Sequence, residues 1–254
     1  MKGRALLFGL NYAGTPAALN GCINDVVNIG KYIAATLRMP VKVCTDDVSS
    51  PETTAVGIVQ NLYELAVQSH RDSLDFAWIH YSGHGSYVMD ASGDDADGRD
   101  ECLVPSDYAV AGVLTDDFLN KLFCNFSPRT RVVFVCDSCH SGTICDVKYN
   151  WESARRCRVE NVLCAIRAKV LTLSGCRDDQ TSADAYNIAG DAQFAGALTA
   201  CMLKVLVDTP LAKNDVFLLL ARLTEKLASL GFSQRPRLCS TYNLAREPAF
   251  LPPV

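Results

Sequence analysis

The stretch V-V-F-V-C-D-S-C-H-S-G, Val132 to Gly142, is an unbroken apolar run that ends in small polar residues, two cysteines and a histidine. A run this continuous, without alternation, reads as a strand covered on both faces, as in parallel sheets flanked by helices. Function in such sheets gathers at the carboxyl ends of the strands. Three chemistries fit its ending. C-D-S-C-H matches c-type haem attachment, which needs an exposed loop and export. Cys136 and Cys139 could form a dithiol, which needs both sulfurs at a helix start. Or Cys139 is a lone nucleophile whose base stands elsewhere in the chain.

The rest of the 254 residues extends the first reading. Arg4–Asn11, Val41–Thr45, Asp75–Tyr81, Arg131–Cys136, Lys169–Leu173 and Arg237–Ser240 read as strands, about six in all. Ile23–Leu37, Pro51–Ser69, Leu114–Phe123, Gln193–Val207 and Asn214–Leu230 read as helices, the last ended by Gly231. This alternation predicts an α/β sandwich with a mostly parallel central sheet and helices on both faces. Val88–Asp107 reads as an acidic loop and Lys148–Glu160 as a polar connection without periodicity.

Composition excludes several classes. A net charge of −4 and a pI near 5.6, with no dense Lys/Arg tract, argue against a nucleic-acid partner. No segment approaches 18 apolar residues, so no membrane span is expected. The amino-terminal apolar run is too short for a signal peptide and reads as a first strand. The twelve cysteines are scattered through apolar runs, as at Cys44, Cys164, Cys176 and Cys201. They suit a reducing, cytoplasmic setting with mostly free thiols.

A nucleophilic thiol needs an imidazole, and there are four. His70 ends a helix, His80 lies inside an apolar strand, and His140 adjoins the cysteine, where neighbouring side chains diverge. His84 follows a strand's carboxyl end, between Gly83 and Gly85, where the backbone can turn sharply and come close to a ligand. An N–H from such a turn can also polarise a carbonyl. His84 and Cys139 then meet over the sheet edge, provided their strands are neighbours.

The segments L-N-G-C-I-N-D (Leu19–Asp25), H-Y-S-G-H-G (His80–Gly85), D-G-R-D-E-C-L-V-P-S-D (Asp97–Asp107), D-S-C-H-S-G (Asp137–Gly142) and L-S-G-C-R-D-D-Q-T-S-A-D (Leu173–Asp184) stand in order. Together they resemble the metacaspases, caspase-like cysteine peptidases. The cysteine's surroundings differ from the Q-A-C-x-G of animal caspases. The chain resembles a minimal, type I-like core without an amino-terminal prodomain.

The resemblance implies a caspase-like three-layer sandwich and peptide cleavage by Cys139 and His84 through an acyl-enzyme. Residues 1–147 would be the larger part, 168–254 the smaller part of the same domain, and 148–167 the connection. The N–H groups of Gly85 and Cys139 would be the oxyanion donors. Asp25, Ser82 and Asp137 are assigned to the pocket for the residue preceding the scissile bond, where paired carboxylates select Arg or Lys. The same aspartates also read as caps of loops or helix starts.

The resemblance further implies an activating Ca²⁺ at Asp100, Asp116, Asp117 and Asp146. Asp116 and Asp117 alternatively read as the acidic first turn of a helix. Asp94, Asp95 and Asp97 read as a solvated acidic loop or a weaker second site. An EF-hand is excluded, because its first and twelfth positions would be Gly93 and Val104. Self-cleavage would fall at Lys148, Arg155, Arg156, Arg158, Arg167 or Lys169, a run that also reads as a solvated basic stretch. Protein or peptide substrates and a monomeric state are expected. The other readings left open are the dithiol redox protein and a caspase-like interaction module without catalysis.

Overall fold

The computed structural model describes residues 1–47, 51–89, 98–138, 144–175, 184–186 and 194–253. In chain order its elements are β1 (Gly3–Gly9), α1 (Cys22–Leu37), β2 (Val41–Thr45), α2 (Ala55–Arg71), β3 (Phe76–Ser82), β4 (Gly85–Met89) and β5 (Arg99–Leu103). There follow α3 (Tyr108–Ala111), β6 (Leu114–Thr115), α4 (Asp116–Phe123), β7 (Arg131–Asp137), β8 (Tyr149–Ser153) and β9 (Arg156–Val159). The last are β10 (Lys169–Ser174), β11 (Asp184–Tyr186), β12 (Phe194–Gly196), α5 (Ala197–Asp208), α6 (Val216–Ser229) and β13 (Arg237–Ser240).

The central sheet runs β2-β1-β3-β7-β10-β13-β8-β9. The first five strands are parallel; β13, β8 and β9 join antiparallel. The period of two sends alternate side chains of each buried strand to opposite faces. Leu7, Trp78, Val133, Val135 and Leu171 pack on one face with α1, α5 and α6. Phe8, Ile79, Phe134, Cys136 and Val170 pack on the other with α2 and α4. That two-sided burial is why the sequence shows solid apolar runs rather than alternation. The chain thus builds a three-layer sandwich, as expected.

The sheet has eight strands among the described residues rather than about six. The two added are β8 and β9, in the segment expected to lack regular structure. Every residue of β9 is exposed and two of its four are arginines, so no apolar period marks it. Arginine along an outermost strand also discourages further edge pairing. The acidic segment is likewise partly regular: β4 and β5 form an antiparallel ladder with Gly85 opposite Leu103, and β6 joins them as a small separate sheet. Asp94, Asp95 and Asp97 lie outside the described residues.

Helix boundaries follow local chemistry. Thr54 caps α2 through its side chain, Thr115 caps α4, and Asp215 caps α6 with bonds to the Phe217 and Leu218 N–H groups. The helix expected from Leu114 therefore starts two residues later, and the one expected from Gln193 starts at Ala197. Among the described residues no helix is long and apolar enough to cross a membrane.

Truncating Leu7, fully buried in β1, to alanine leaves a cavity beneath α1. Leu7→Ala is expected to lose about 2–5 kcal/mol of unfolding free energy in urea titrations.

Candidate active site

Three strand ends define the site. Ser82 closes β3 and pairs in register with Asp137, which closes β7; Gly9 closes β1 beside Ser82. The Gly83–His84 turn follows β3 directly, and Cys139 follows β7 by two residues in the sequence. His84 and the strand leading to Cys139 are therefore neighbours. Cys139 itself, with His140 and Gly142, lies outside the described residues.

His84 is held from several sides. Its Nε2 lies 2.7 Å from the Ala17 carbonyl oxygen, which can only accept, so Nε2 carries a proton. In the neutral ring Nδ1 then keeps the lone pair. The ring leans on Tyr12, centroids 4.8 Å apart, and the His84 N–H donates to the Tyr12 hydroxyl at 3.0 Å. Tyr12 in turn donates to the Val104 carbonyl at 2.6 Å, and Tyr81 donates to the His84 carbonyl at 2.9 Å. Burial raises both phenols, so both stay neutral. Gly83 is required because a Cβ there would stand 2.9 Å from both hydroxyls.

Tyr12 adopts φ 50°, an uncommon left-handed conformation for a tyrosine. The Asp46 carboxylate fixes it, accepting the Asn11 N–H at 2.9 Å and the Tyr12 N–H at 2.6 Å. Gly85, one residue past His84, opens β4 at the same edge.

The three residues that the resemblance assigns to a pocket, Asp25, Ser82 and Asp137, are together. Ser82 donates to Asp25 Oδ2 at 2.6 Å, and Asp25 also accepts the Gly196 N–H at 3.0 Å. Asp137 Oδ2 accepts both the N–H and the hydroxyl of Thr199 at 2.8 Å. Asp25, Ser82 and Asp137 are all at most 3% exposed. Both carboxylates thus bind the amino-terminal turn of α5, whose unsatisfied N–H groups favour negative charge. The capping alternative from the sequence holds for both aspartates, and it brings them to one place. Gly196 stands between them; a Cβ there would meet oxygens of both.

Behind this pair lies His80, fully buried. Thr199 spends its hydroxyl proton on Asp137, so it accepts from His80 Nε2 at 3.1 Å. Nδ1 of His80 has no partner among the described residues, and burial lowers the ring's pKa to about 3. His80 is a neutral core residue, as its place in an apolar strand suggested.

The four aspartates expected to bind calcium are less concentrated. Asp100, Glu101 and Asp116 are buried near one another, and burial followed by the charge of Asp100 raises the Asp116 carboxyl to about 6 despite its hydrogen bonds. Asp116 accepts the Glu101 and Asp117 N–H groups at 2.7 and 2.8 Å. Asp117 pairs with Lys121 at 3.1 Å. Asp146 adopts φ 42° and its carbonyl accepts from Asn120 and Asn161. Among the described residues no three His, Cys, Asp or Glu side chains converge as a metal-binding group.

Of the basic residues, Arg156 and Arg158 stand in β9 and pair with Glu152 at 3.2 and 3.5 Å. Arg155 is in the β8–β9 turn, and Arg167 is exposed in irregular chain. Lys148 lies against the Tyr149 ring, and Lys169 opens β10 and pairs with Glu247 at 2.6 Å. Cys136 is fully buried in the α2-side core, 3.1 Å from the Ser138 hydroxyl, which does not suit an exposed dithiol. The described cysteines are all thiols.

Sequence reading missed Tyr12, Ala17, Asp46, Gly196 and Thr199. Tyr12 had a topological signal, because it follows a strand that neighbours β3. Thr199 had none, being one hydroxyl inside an apolar helix.

A family model described as metacaspase, peptidase C14 domain, matches residues 3–148. Metacaspase-1B of Aspergillus oryzae is 30% identical over 295 residues, covering 95% of this chain and 68% of its own length. Metacaspase-2 of Trypanosoma brucei brucei is 32% identical over 271 residues, covering 97% and 75%. A Geobacter sulfurreducens protein of solved structure superimposes with TM-score 0.68 at 25% identity, covering 99% of each chain. The caspase-1 structure from Spodoptera frugiperda, at 11% identity and TM-score 0.52, covers 94% of this chain and 86% of its own, and shares the fold.

Two outcomes follow from this geometry. Tyr12→Phe leaves the His84 N–H without its acceptor and is expected to cost about 1–3 kcal/mol in urea unfolding. His80, depressed from 6.5 to about 3, contributes stability that is complete above pH 6.5 and lost as pH falls towards 3. Unfolding free energy is expected to drop by up to about 1.4 kcal/mol per pH unit across that window, and His80→Gln to flatten the slope.

Proposed function

Because the chain belongs to the metacaspase family and is a cysteine-type peptidase, we propose that it cuts peptide chains after Arg or Lys. Cys139 is the nucleophile and His84 its general base. The observation that carries the basic specificity is the convergence of the Asp25 and Asp137 carboxylates on Gly196 at the sheet edge where the reaction takes place.

The mechanism follows from the tautomer. With Nε2–H committed to the Ala17 carbonyl, Nδ1 of His84 is the atom that takes the thiol proton. The thiolate attacks the scissile carbonyl, and the N–H groups of Gly85 and Cys139 receive the developing oxyanion. The imidazolium then protonates the leaving amine, giving a thioester. Water activated by the same Nδ1 hydrolyses the thioester and restores the thiol. The Ala17 carbonyl takes the orienting place that a third side chain fills in other triads. Ser82, Asp25 and Asp137 hold the guanidinium or ammonium of the residue before the cut, a charge-assisted contact.

Calcium stimulation belongs to the proposal. Asp100, Asp116, Asp117 and Asp146 offer hard oxygen donors, and crowding of Asp100, Glu101 and Asp116 gives a cation something to neutralise. Binding requires Asp117 to leave Lys121. Self-cleavage is assigned to the connection, residues 148–167, between a larger part (1–147) and a smaller part (168–254) that share the central sheet. Arg155 and Arg167 are its better sites, since Arg156 and Arg158 are committed to a strand ladder. A cytoplasmic monomer suits the thiol cysteines and the arginine-guarded edge.

Matched fluorogenic peptides ending in Arg, Lys or Asp, with and without calcium, test the reading. Arg and Lys peptides are expected to be cut, faster with calcium, and the Asp peptide is not. Cys139→Ala is expected to abolish turnover, His84→Ala to lower kcat by about 10²- to 10⁴-fold, and Cys136→Ala to retain cleavage. Equal cutting of the Asp peptide would refute the basic specificity. Intact mass after calcium addition is expected to show breaks after Arg155 or Arg167, absent in Cys139→Ala.

A further inference from the structure

His80 poses a question that packing does not answer. It stands inside the apolar strand β3, wholly buried, and its Nδ1 has no hydrogen-bond partner among the described residues. Desolvation lowers its pKa to about 3, so the ring is neutral. An apolar side chain of similar size would fill the same space without leaving a buried polar atom unsatisfied, which is costly. What the imidazole adds is a single N–H group, 3.1 Å from the hydroxyl of Thr199.

Strand parity brings that N–H to the acids. His80 precedes Ser82 by two residues in β3 and lies opposite Val135, which precedes Asp137 by two in β7. All four side chains therefore point to one face of the sheet, the face that packs against α5, and Thr199 stands in the first turn of that helix. The protons along this row have one consistent arrangement. An ionised carboxylate only accepts, so Thr199 gives both its N–H and its hydroxyl hydrogen to Asp137 Oδ2, each at 2.8 Å. Towards His80 the hydroxyl can then only accept, and His80 Nε2 carries the hydrogen. The reverse arrangement would exchange a charge-assisted bond for a neutral one. Without the imidazole N–H, a threonine hydroxyl in a helix can rotate to the carbonyl three or four residues back. Two hydrogens from one residue, delivered to one oxygen, fix the rotation of the Asp137 carboxylate.

That rotation matters to one kind of ligand more than to another. A guanidinium presents a planar, rigid fork of hydrogens, and its best contacts need carboxylate oxygens set in a fixed plane; an ammonium is a compact charge that accepts any rotation. We propose that His80 and Thr199 are positioning residues that give the site a preference for arginine over lysine, His80 acting through Thr199 and Thr199 through Asp137. The inference rests on the Arg/Lys reading above and deepens it by naming what separates the two basic residues. His80 and Thr199 are both wholly buried, so they act from behind the carboxylate and not by meeting the substrate.

The test is the ratio of kcat/KM for Arg over Lys in otherwise identical fluorogenic peptides. It is read within each protein, so a change in the active fraction cancels. Wild type is expected to favour Arg by about tenfold, as one further charge-assisted hydrogen bond allows. Thr199→Val keeps the shape and removes the hydroxyl; it is expected to lower the ratio by about three- to tenfold, with the loss for Arg appearing in KM. Thr199→Ser is expected to keep the wild-type ratio. His80→Leu is expected to lower the ratio in the same direction. The double variant Thr199→Val/His80→Leu is expected to fall no further than Thr199→Val alone, because His80 acts through a hydroxyl already removed. A wild-type ratio near one, a ratio unmoved by either single variant, a Thr199→Ser ratio as low as that of Thr199→Val, or an additive double variant would overturn the inference while the basic specificity stands. Should one of the two single variants fail to fold, the other decides. Cleavage of neither the Arg nor the Lys peptide would defeat the basic-specificity reading, and this inference with it.

Discussion

Two carboxylates buried side by side repel each other and lose hydration, and a fold that keeps them must compensate both costs. Here the amino-terminal turn of α5 does so. The Gly196 N–H binds Asp25, and the N–H and hydroxyl of Thr199 bind Asp137. Because Asp25 comes from α1, Asp137 from β7 and Thr199 from α5, this contact also locks three elements at the carboxyl ends of the parallel strands. Gly196 is demanded by the same closeness, since a side chain there would collide with both acids. The negative site is thus a tertiary achievement of residues remote in sequence.

His84 is held by similar means. Its ring is aimed by a backbone carbonyl from the loop before α1, its main chain by two neutral tyrosines, and one of these by Asp46 at the end of β2. Groups that hold His84 therefore come from the loop after β1 and from β3, with Asp46 just beyond β2, and the parallel order of these strands places their carboxyl ends together. Seen this way, the apolar sheet does more than fold the chain. Its register sets where Asp137 and the turn that carries His84 stand, which is why volume lost beneath α1 would be felt at this edge as well as in stability.

How much of this was legible follows from burial. Strands covered on both faces showed as solid apolar runs, and so β1, β3, β7 and β10 were readable from their sequences. The β8–β9 hairpin was not, because its outer strand is wholly exposed and its composition answers to water and to edge protection. His84 could be picked from four histidines by its glycines and its place after a strand. Asp25 and Asp137 came from a family resemblance, and composition alone could not separate pocket from cap; the structure shows them capping α5 at the place where a pocket would lie. Thr199 and the Ala17 carbonyl carry no sequence signal, since a hydroxyl in an apolar helix and a backbone oxygen acquire their roles only through packing.

The central claim is that Cys139 reacts beside a negatively charged pocket. Mass spectrometry after treatment with acyloxymethyl ketones, reagents that alkylate an activated thiol, addresses it directly. One reagent ends in Arg and its control in Asp. The account predicts a single adduct, mapped to Cys139, from the Arg reagent, and little from the Asp reagent. An adduct on another cysteine, or equal labelling by both reagents, would contradict it.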